Sequence, residues 1–499
     1  MNIDLVKLGA RPAPPADLVP IRFRQVGEDV LLTNEWGDWV FVSRPQLEGL
    51  VRGQIPEEMK ERLAKRNFLR SAIDVEALGS RMRHKRRFLD YGPNLHIFVV
   101  TLRCNETCVY CHASRANMDA VHTDMTPEIG EKCVDLALQS TSPSVTIEFQ
   151  GGEPLVNFPV MRHVIEYALA RNRAYGKDLG FTMVSNLAMM DEEKLSYLVE
   201  KRVQICTSVD GPEILHNKQR KLVGGNAHAQ AVRWIERINK RYEELGLDPT
   251  LYHVEALLTT TREALKYPRE IVDAYVNLGC RAIFLRPVDP FGFAGKTAQI
   301  VEYDRAAFHE FYRTAVEHIL DLNRKGVQVL ERYAAIFLTK ILGDDDPNFL
   351  DIRSPSGSGI GALAYNYDGK VFTSDEGRML HETGDDAFLI GDVRTATYRG
   401  LMKHETVRAL VMASIREVQP DCVNCTYAPY CGIQPEHSYR TQGTIFGRMR
   451  ESTLCSVHKG IQDYIFGKLR EDDPQTVETL RRWTTVRERS HFLHTPAAS

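Results

Sequence analysis

No apolar run in this 499-residue sequence reaches the roughly 18 residues that a membrane-spanning helix needs. The opening MNIDLVKLGARPAPP lacks the apolar stretch of a secretory signal, so a cytoplasmic protein is expected. Charge of one sign is scarce too. The formal net charge of −3 gives no long-range pull toward nucleic acid or an anionic membrane, and neither is expected as a partner. Internal repeats are absent. What remains is ordinary soluble composition, 43% hydrophobic and 26% charged, in a chain too long for one core, so about two to four domains are expected.

Ten cysteines do not suit a disulfide framework in a cytosolic chain of this size. They are unevenly spread. Cys104, Cys108 and Cys111 crowd together, and Cys422, Cys425, Cys431 and Cys455 gather near the C-terminus. Cys133, Cys206 and Cys280 each sit alone in an apolar pattern and read as small core hydrophobes.

Residues 1–20 are rich in Pro and Ala and read as a loose arm. From Ile21 to about Leu78, the β runs IRFRQ, DVLLTN and WVFVS precede the helical periodicity of RPQLEGLVRG and PEEMKERLAKRN. This is a small separable α+β module. Between Leu95 and Pro287, strand and helix alternate six times, the strands reading LHIFVVTL, VTIEF, FTMVSN, VQICTSVD, YHVEALLTT and RAIFLRP. Near-continuous apolar strands separated by amphipathic helices imply a parallel sheet covered by helices, open or barrel-like, with functional residues at the strands' C-terminal ends. Two helices follow Pro290, then a Gly/Ser-rich stretch and a hairpin, LAYNYDGKVFTS, turning at Asp368-Gly369. The tail after Phe466 is charged and uninformative.

Cys104, Cys108 and Cys111 form C-x3-C-x2-C directly after the first strand of the alternating array. Three closely spaced thiolates can hold three irons of a [4Fe–4S] cube, leaving the fourth open to another ligand. The alternative is a structural zinc site with His112 as fourth ligand, although zinc ligands usually come as two spaced pairs. The motif resembles that of the radical S-adenosylmethionine (SAM) superfamily. The resemblance implies that SAM binds the open iron and is cleaved to methionine and a 5′-deoxyadenosyl radical. It also implies a catalytic role for Cys104, Cys108 and Cys111 and a partial (β/α)6 barrel.

Further residues match the family's SAM contacts. Gly151-Gly152-Glu153-Pro154 resembles the GGEP motif, and Ser185-Asn186 ends the third strand, where polar contacts to ribose are expected. Ser208 and Asp210 resemble the motif at the fourth strand, Arg220 the arginine that meets SAM's carboxylate, and Tyr110 the aromatic residue beside the adenine. Arg286 and Asp289, ending the sixth strand, face either SAM or substrate, or form a structural ion pair.

The second group reads C-x2-C-x5-C followed by Cys455, four thiolates with no open position. It resembles the SPASM extension of peptide-modifying radical SAM enzymes, which implies an auxiliary [4Fe–4S] cluster on Cys422, Cys425, Cys431 and Cys455. Zinc is the alternative for this set. A second auxiliary cluster would need cysteines where this chain has SPSGSGIG, Ser374 and Pro435, so one auxiliary cluster is expected.

The fold class that follows is α/β: a partial (β/α)6 radical SAM barrel with an N-terminal small α+β module and a C-terminal SPASM-like iron–sulfur domain. The division runs 1–90, 91–300, 301–350 for bridging helices, 351–465 for the SPASM-like part and 466–499 for the tail. RFRQVGEDVLLTNEWGDWVFVS and HIFVVTLRCNETCVYCHAS also resemble the His-Xaa-Ser system radical SAM maturases. That resemblance implies a ribosomally made peptide or protein as substrate, held by the N-terminal module as an added strand, and an external electron donor such as flavodoxin or ferredoxin. The alternatives are a radical SAM enzyme acting on a small molecule or on a sulfatase-type protein, and a non-enzymatic iron–sulfur or zinc scaffold.

Overall fold

The computed structural model describes residues 17–343, 345–347 and 349–495; most of the expected N-terminal arm lies outside them. Residues 17–20 are not loose. Leu18 and Val19 are buried, and Arg70 donates its N–H to the Asp17 carbonyl at 2.7 Å. Strands β1 (Arg22–Val26), β2 (Asp29–Thr33) and β3 (Trp39–Val42) form an antiparallel meander. Alternate apolar residues of these strands, Val30, Leu32, Val40 and Val42, join Leu47, Leu50, Met59 and Leu63 from the helices Arg44–Val51 and Glu57–Lys65 in a core of their own.

The main sheet begins at β4 (Leu95–Thr101), followed by β5 (Ser144–Gly151), β6 (Asp178–Ser185), β7 (Val203–Ser208) and β8 (Glu255–Leu257). These five are parallel in chain order. Helices between them bury an apolar stripe against the sheet, and their starts follow from the sequence. Thr126 caps Pro127–Leu138, Asp191 caps Glu192–Glu200, and Asn226 caps Ala227–Glu244, each accepting a backbone N–H two or three residues into its helix.

The sixth strand is shorter than its apolar run suggests. β9 (Ala282–Ile283) pairs with β10 (Leu330–Glu331), and its link to the fifth strand's extension is a single bridge, Thr260 to Pro287. The cause is local. The Arg286 N–H turns back onto the Phe284 carbonyl at 2.8 Å, and Pro287 has no N–H to offer a ladder.

The expected hairpin forms as β11 (Ala362–Tyr365) and β12 (Lys370–Phe372), with Gly369 at φ +90° in the turn. β11 lies parallel to β4, so the hairpin and β13 (Leu389–Asp392) continue the barrel sheet past its first strand. The tail corrects the sequence reading. It forms the helix Pro474–Arg482 and then β14 (Leu493–His494), which pairs antiparallel with β6 at Gly180 and Leu179. Arg489 meets Glu255, and Phe492 packs on Tyr242 and Tyr252, so apolar and ionic contacts hold this strand under the barrel. Among the described residues, no helix is long and apolar enough to cross a membrane.

Candidate functional site: two cysteine groups and a cavity

Cys104, Cys108 and Cys111 follow β4 on a loop fixed mainly by backbone. The Cys104 N–H donates to the Ala116 carbonyl (3.1 Å), the Phe293 N–H to the Cys111 carbonyl (2.8 Å), and Glu106–Cys108 pairs antiparallel with Arg220–Leu222. Gly152 and Glu153 close the loop from beside it, donating to the carbonyls of Thr101 and Arg103, both at 2.8 Å. This approach needs glycine. A Cβ on Gly152 would lie 2.3 Å from the Leu102 carbonyl oxygen, and Gly151 sits at φ +141° with its Cβ position 2.0 Å from the Thr101 carbonyl oxygen. Gly152→Ala is therefore expected to displace the cysteine loop and lower iron incorporation there severalfold, read as iron per chain after anaerobic reconstitution.

The three thiols open onto a cavity of about 1060 Å³. Tyr110, Gly151, Gly152, Ser185, Asn186, Ser208 and Arg220 line the same cavity, so seven of the nine residues matched to SAM contacts meet in one chamber. Two do not line it. Glu153 is fully buried; its carboxylate accepts from the Ser185 hydroxyl and Asn186 N–H, both at 2.8 Å, and from the Leu155 N–H at 3.0 Å. Asp210, also fully buried, accepts from the Tyr110 hydroxyl at 2.6 and 2.7 Å, Gln219 at 3.0 Å and Arg220 Nε at 3.1 Å. Each carboxylate positions neighbours that do face the cavity. The Arg220 guanidinium lies 5.2 Å from the Tyr110 ring centroid, a cation–π contact, and its Nη1 is 3.7 Å from Cys108 Sγ.

Burial dominates the electrostatics here. It pushes the thiols of Cys104 and Cys108 well above the usual range, and Glu106 and Glu153 to about 7. Thiolates at Cys104 and Cys108 are costly without a compensating cation, which iron would supply. Arg220 near Cys108 and Asn186 Nδ2, 3.9 Å from Cys104 Sγ, add polar hydrogens beside the sulfurs. The donor set thus fits the group that the motif implies.

Of the solitary cysteines, Cys133 and Cys280 are buried in the core as expected, but Cys206 is half-buried and lines the cavity. β7 alternates its side chains, and position 206 falls on the barrel's inner face. Arg286 and Asp289 also line the cavity, farther from the cysteine loop's polar partners, with Asp351, Ser374, Asp375 and Glu376.

Cys422, Cys425 and Cys431 lie on a tight loop, the Cys425 N–H donating to the Cys422 carbonyl at 2.9 Å. Cys455 joins them from the first turn of the helix Thr453–Glu471, capped by Ser452. All four are half-buried. Burial, then Cys455 and Cys425, pushes the Cys431 thiol up to about 12; Cys422 is raised by burial and then by the other three. The four thiols therefore face one another. Among the described residues, no three His, Cys, Asp or Glu side chains are gathered tightly enough to hold a single ion. Sequence reasoning missed His458, whose Nδ1 is 3.9 Å from Cys431 Sγ. Its spacing of three from Cys455 on one helix face was the available signal.

The N-terminal sheet grips this loop. Arg22 Nε donates to the Val423 carbonyl (2.7 Å), the Thr33 hydroxyl to the Thr426 carbonyl (2.8 Å), and the Tyr430 hydroxyl to the Gly37 carbonyl (3.0 Å). Arg24 makes a bidentate pair with Asp463 at 2.6 and 2.7 Å, and Trp39 and Tyr427 pack on Phe466 with centroids 5.6 and 5.7 Å away.

Residues 98–253 match the family model of the radical SAM superfamily. This chain carries a radical SAM domain. An uncharacterised protein of Methanocaldococcus jannaschii is 29% identical over 119 residues, 24% of this chain and 39% of that protein. This chain thus spans about two-fifths of that relative, and more of others. The cysteine-type anaerobic sulfatase-maturating enzyme of Clostridium perfringens is 21% identical over 343 residues, 66% of this chain and 84% of the enzyme. Among solved structures, native anSMEcpe with bound AdoMet and Cp18Cys peptide superposes with a TM-score of 0.62 at 18% identity, covering 78% of this chain and all of that one. Streptococcus suis SuiB bound to precursor peptide SuiA gives 0.51 at 12% identity, covering 88% and 99%. The fold is therefore the α/β radical SAM fold. Radical SAM proteins use a [4Fe–4S] cluster with SAM, and SPASM-type relatives carry auxiliary clusters.

Proposed function

We propose that this radical SAM enzyme modifies a peptide or protein substrate in the cavity below Cys104, Cys108 and Cys111. The observation that carries the reading is the single chamber of about 1060 Å³ that joins the three-cysteine loop to residues of the SPASM-like extension such as Asp351 and Ser374, a volume beyond that of a small-molecule pocket. On this reading the three cysteines would hold the SAM-binding cluster, which would supply the electron for reductive cleavage of SAM. Arg220 neutralises SAM's carboxylate while Asp210 holds Arg220 and Tyr110 in place. Gly151, Gly152 and Asn186 bring backbone and amide groups to the ligand, and Glu153 fixes Ser185 and Asn186. Cys422, Cys425, Cys431 and Cys455 hold one auxiliary cluster. The N-terminal module takes the substrate's leading segment, and a cytoplasmic flavodoxin or ferredoxin delivers electrons; of the expected divisions at 90, 300, 350 and 465, those at 300 and 465 fall inside the helices Ala298–Val301 and Thr453–Glu471.

The sulfatase-type alternative is favoured by the 84% coverage of the Clostridium perfringens enzyme. One assay separates the two. Reconstituted enzyme with SAM and reductant is given short peptides encoded beside its gene and, in parallel, a cysteine-containing sulfatase peptide, and products are read by mass spectrometry. A mass change in the neighbouring peptides alone supports the proposal. Conversion of the sulfatase peptide alone establishes the alternative, and efficient change of a free metabolite with no change in any peptide overturns both.

A further inference from the structure

A buried histidine stands beside the second cysteine group. His458 follows Cys455 by three residues on the helix Thr453–Glu471, so the two share one face of that helix. Its ring is 2% exposed and packs on Tyr333 and Phe337, with centroids 5.8 and 5.6 Å away. Nδ1 lies 3.9 Å from Cys431 Sγ, whereas Nε2 is buried and has no hydrogen-bond partner.

An imidazole with an unpaired nitrogen is costly in a pocket that a phenyl ring would fill without that penalty. With its proton on Nε2 the ring would bury an orphaned N–H; with its proton on Nδ1, that N–H meets sulfur. The Cys431 thiol is itself a possible donor, and its Sγ also lies 3.4 Å from the Gly432 carbonyl oxygen. A sulfur bound to iron has no proton to give, so Nδ1–H is then the donor. Other polar groups around the loop are engaged elsewhere. Arg416 Nη1 donates to the Cys431 carbonyl at 2.6 Å, and the buried Lys340 is held by the Ile352 carbonyl and by Asp346 at 3.2 Å. Lys459 stands beside Cys455 but is partly exposed, where water and salt screen its charge.

We propose that His458 is a positioning residue for the auxiliary [4Fe–4S] cluster, its Nδ1–H donating to the Cys431 sulfur and raising the cluster's reduction potential. A proton aimed at the sulfur favours the more negative, reduced cluster; that couple takes up one electron and neither makes nor breaks a covalent bond. The contact lies in a dry aromatic pocket, where a hydrogen bond counts for more than at the surface. The inference rests on the reading of Cys422, Cys425, Cys431 and Cys455 as a cluster site and not a zinc site.

The test uses the reconstituted full-length chain with Cys104, Cys108 and Cys111 replaced by alanine, so that the auxiliary cluster alone gives an EPR signal during titration with dithionite. Adding His458→Phe is expected to disfavour reduction about tenfold, a fall of about 59 mV for a one-electron couple. His458→Asn is expected to restore most of the loss, because its amide nitrogen is as far along the side chain as Nδ1. With histidine labelled by 15N, pulsed EPR of the parent chain is expected to show a weak 15N coupling. Its loss in His458→Phe assigns it to His458 and not to the neighbouring His437. A potential unchanged in folded His458→Phe overturns the proposal. So does a parent chain with no 15N coupling, a readout that needs no variant at position 458, or one with the strong coupling of a ligating imidazole. One zinc in place of about four irons in the parent chain would overturn the cluster reading itself, and metal content alone tells that outcome apart from the others.

Discussion

Replacing Cys104, Cys108 and Cys111 together by alanine is expected to bring 5′-deoxyadenosine formation from SAM down to background and to remove about four irons per chain. The three thiols share one loop and open onto one cavity, so no other cysteine replaces them there; Cys206 lines the same cavity but comes from the interior of β7. The loop's position depends on backbone contacts from Gly152, Glu153 and Phe293, which alanine leaves intact, so the variant should fold. Chromatography of reductant-treated samples measures the product, and iron assay measures the cluster. Undiminished SAM cleavage in the triple variant would refute the assignment of this loop.

Deleting residues 1–90 is expected to halve the iron content, from about eight to about four per chain, by emptying the C-terminal cysteine site. In sequence the N-terminal module looks detachable. In the fold it is one wall of the loop that carries Cys422, Cys425 and Cys431. Deletion takes away the Arg22 and Thr33 bonds to that loop's carbonyls and leaves Asp463 without Arg24. It also uncovers Phe466 and Tyr430, both fully buried in the intact chain. Losing one aromatic pair contact of this kind costs about 0.5–1.5 kcal/mol beyond the burial it removes. Uncoupled SAM cleavage should survive, because the cysteine loop at Cys104 and its partners lie beyond Leu95. Retention of about eight irons would show that the C-terminal site stands without the module, and one zinc with four irons would assign that site to zinc.

The parts of this molecule that were legible in the sequence are the local ones. C-x3-C-x2-C, GGEP and the Asp368-Gly369 turn each encode their geometry within a few residues. β4 and β6 announce themselves as apolar runs because both faces are covered, whereas β5 and β7 alternate, with Thr146, Glu148, Gln204 and Cys206 on the cavity side. What stayed hidden depends on residues that meet from afar. Asp210 matches a motif, yet its partners Tyr110 and Arg220 are fixed only when the Arg220–Leu222 strand pairs with the cysteine loop. Ser374 was legible as a missing cysteine; that its hydroxyl meets Glu436 was not, since Glu436 reads as a surface residue at the start of a short helix. The sixth strand misled because RAIFLRP is apolar enough for a strand, whereas the turn at Arg286 and the lack of an N–H on Pro287 end its pairing.

β14 has a consequence for how the chain is made. Its two residues pair with Gly180 and Leu179 in the middle of the barrel, although they are synthesised long after them. Until Leu493 leaves the ribosome, β6 keeps an unfilled edge at its lower end, and the apolar seat of Phe492 between Tyr242 and Tyr252 stays open to water. Closing so long a loop is a late and entropically demanding step. The barrel's underside is therefore sealed only after translation has passed both cysteine groups, so a nascent chain can present all seven of their thiols before its interior is shut.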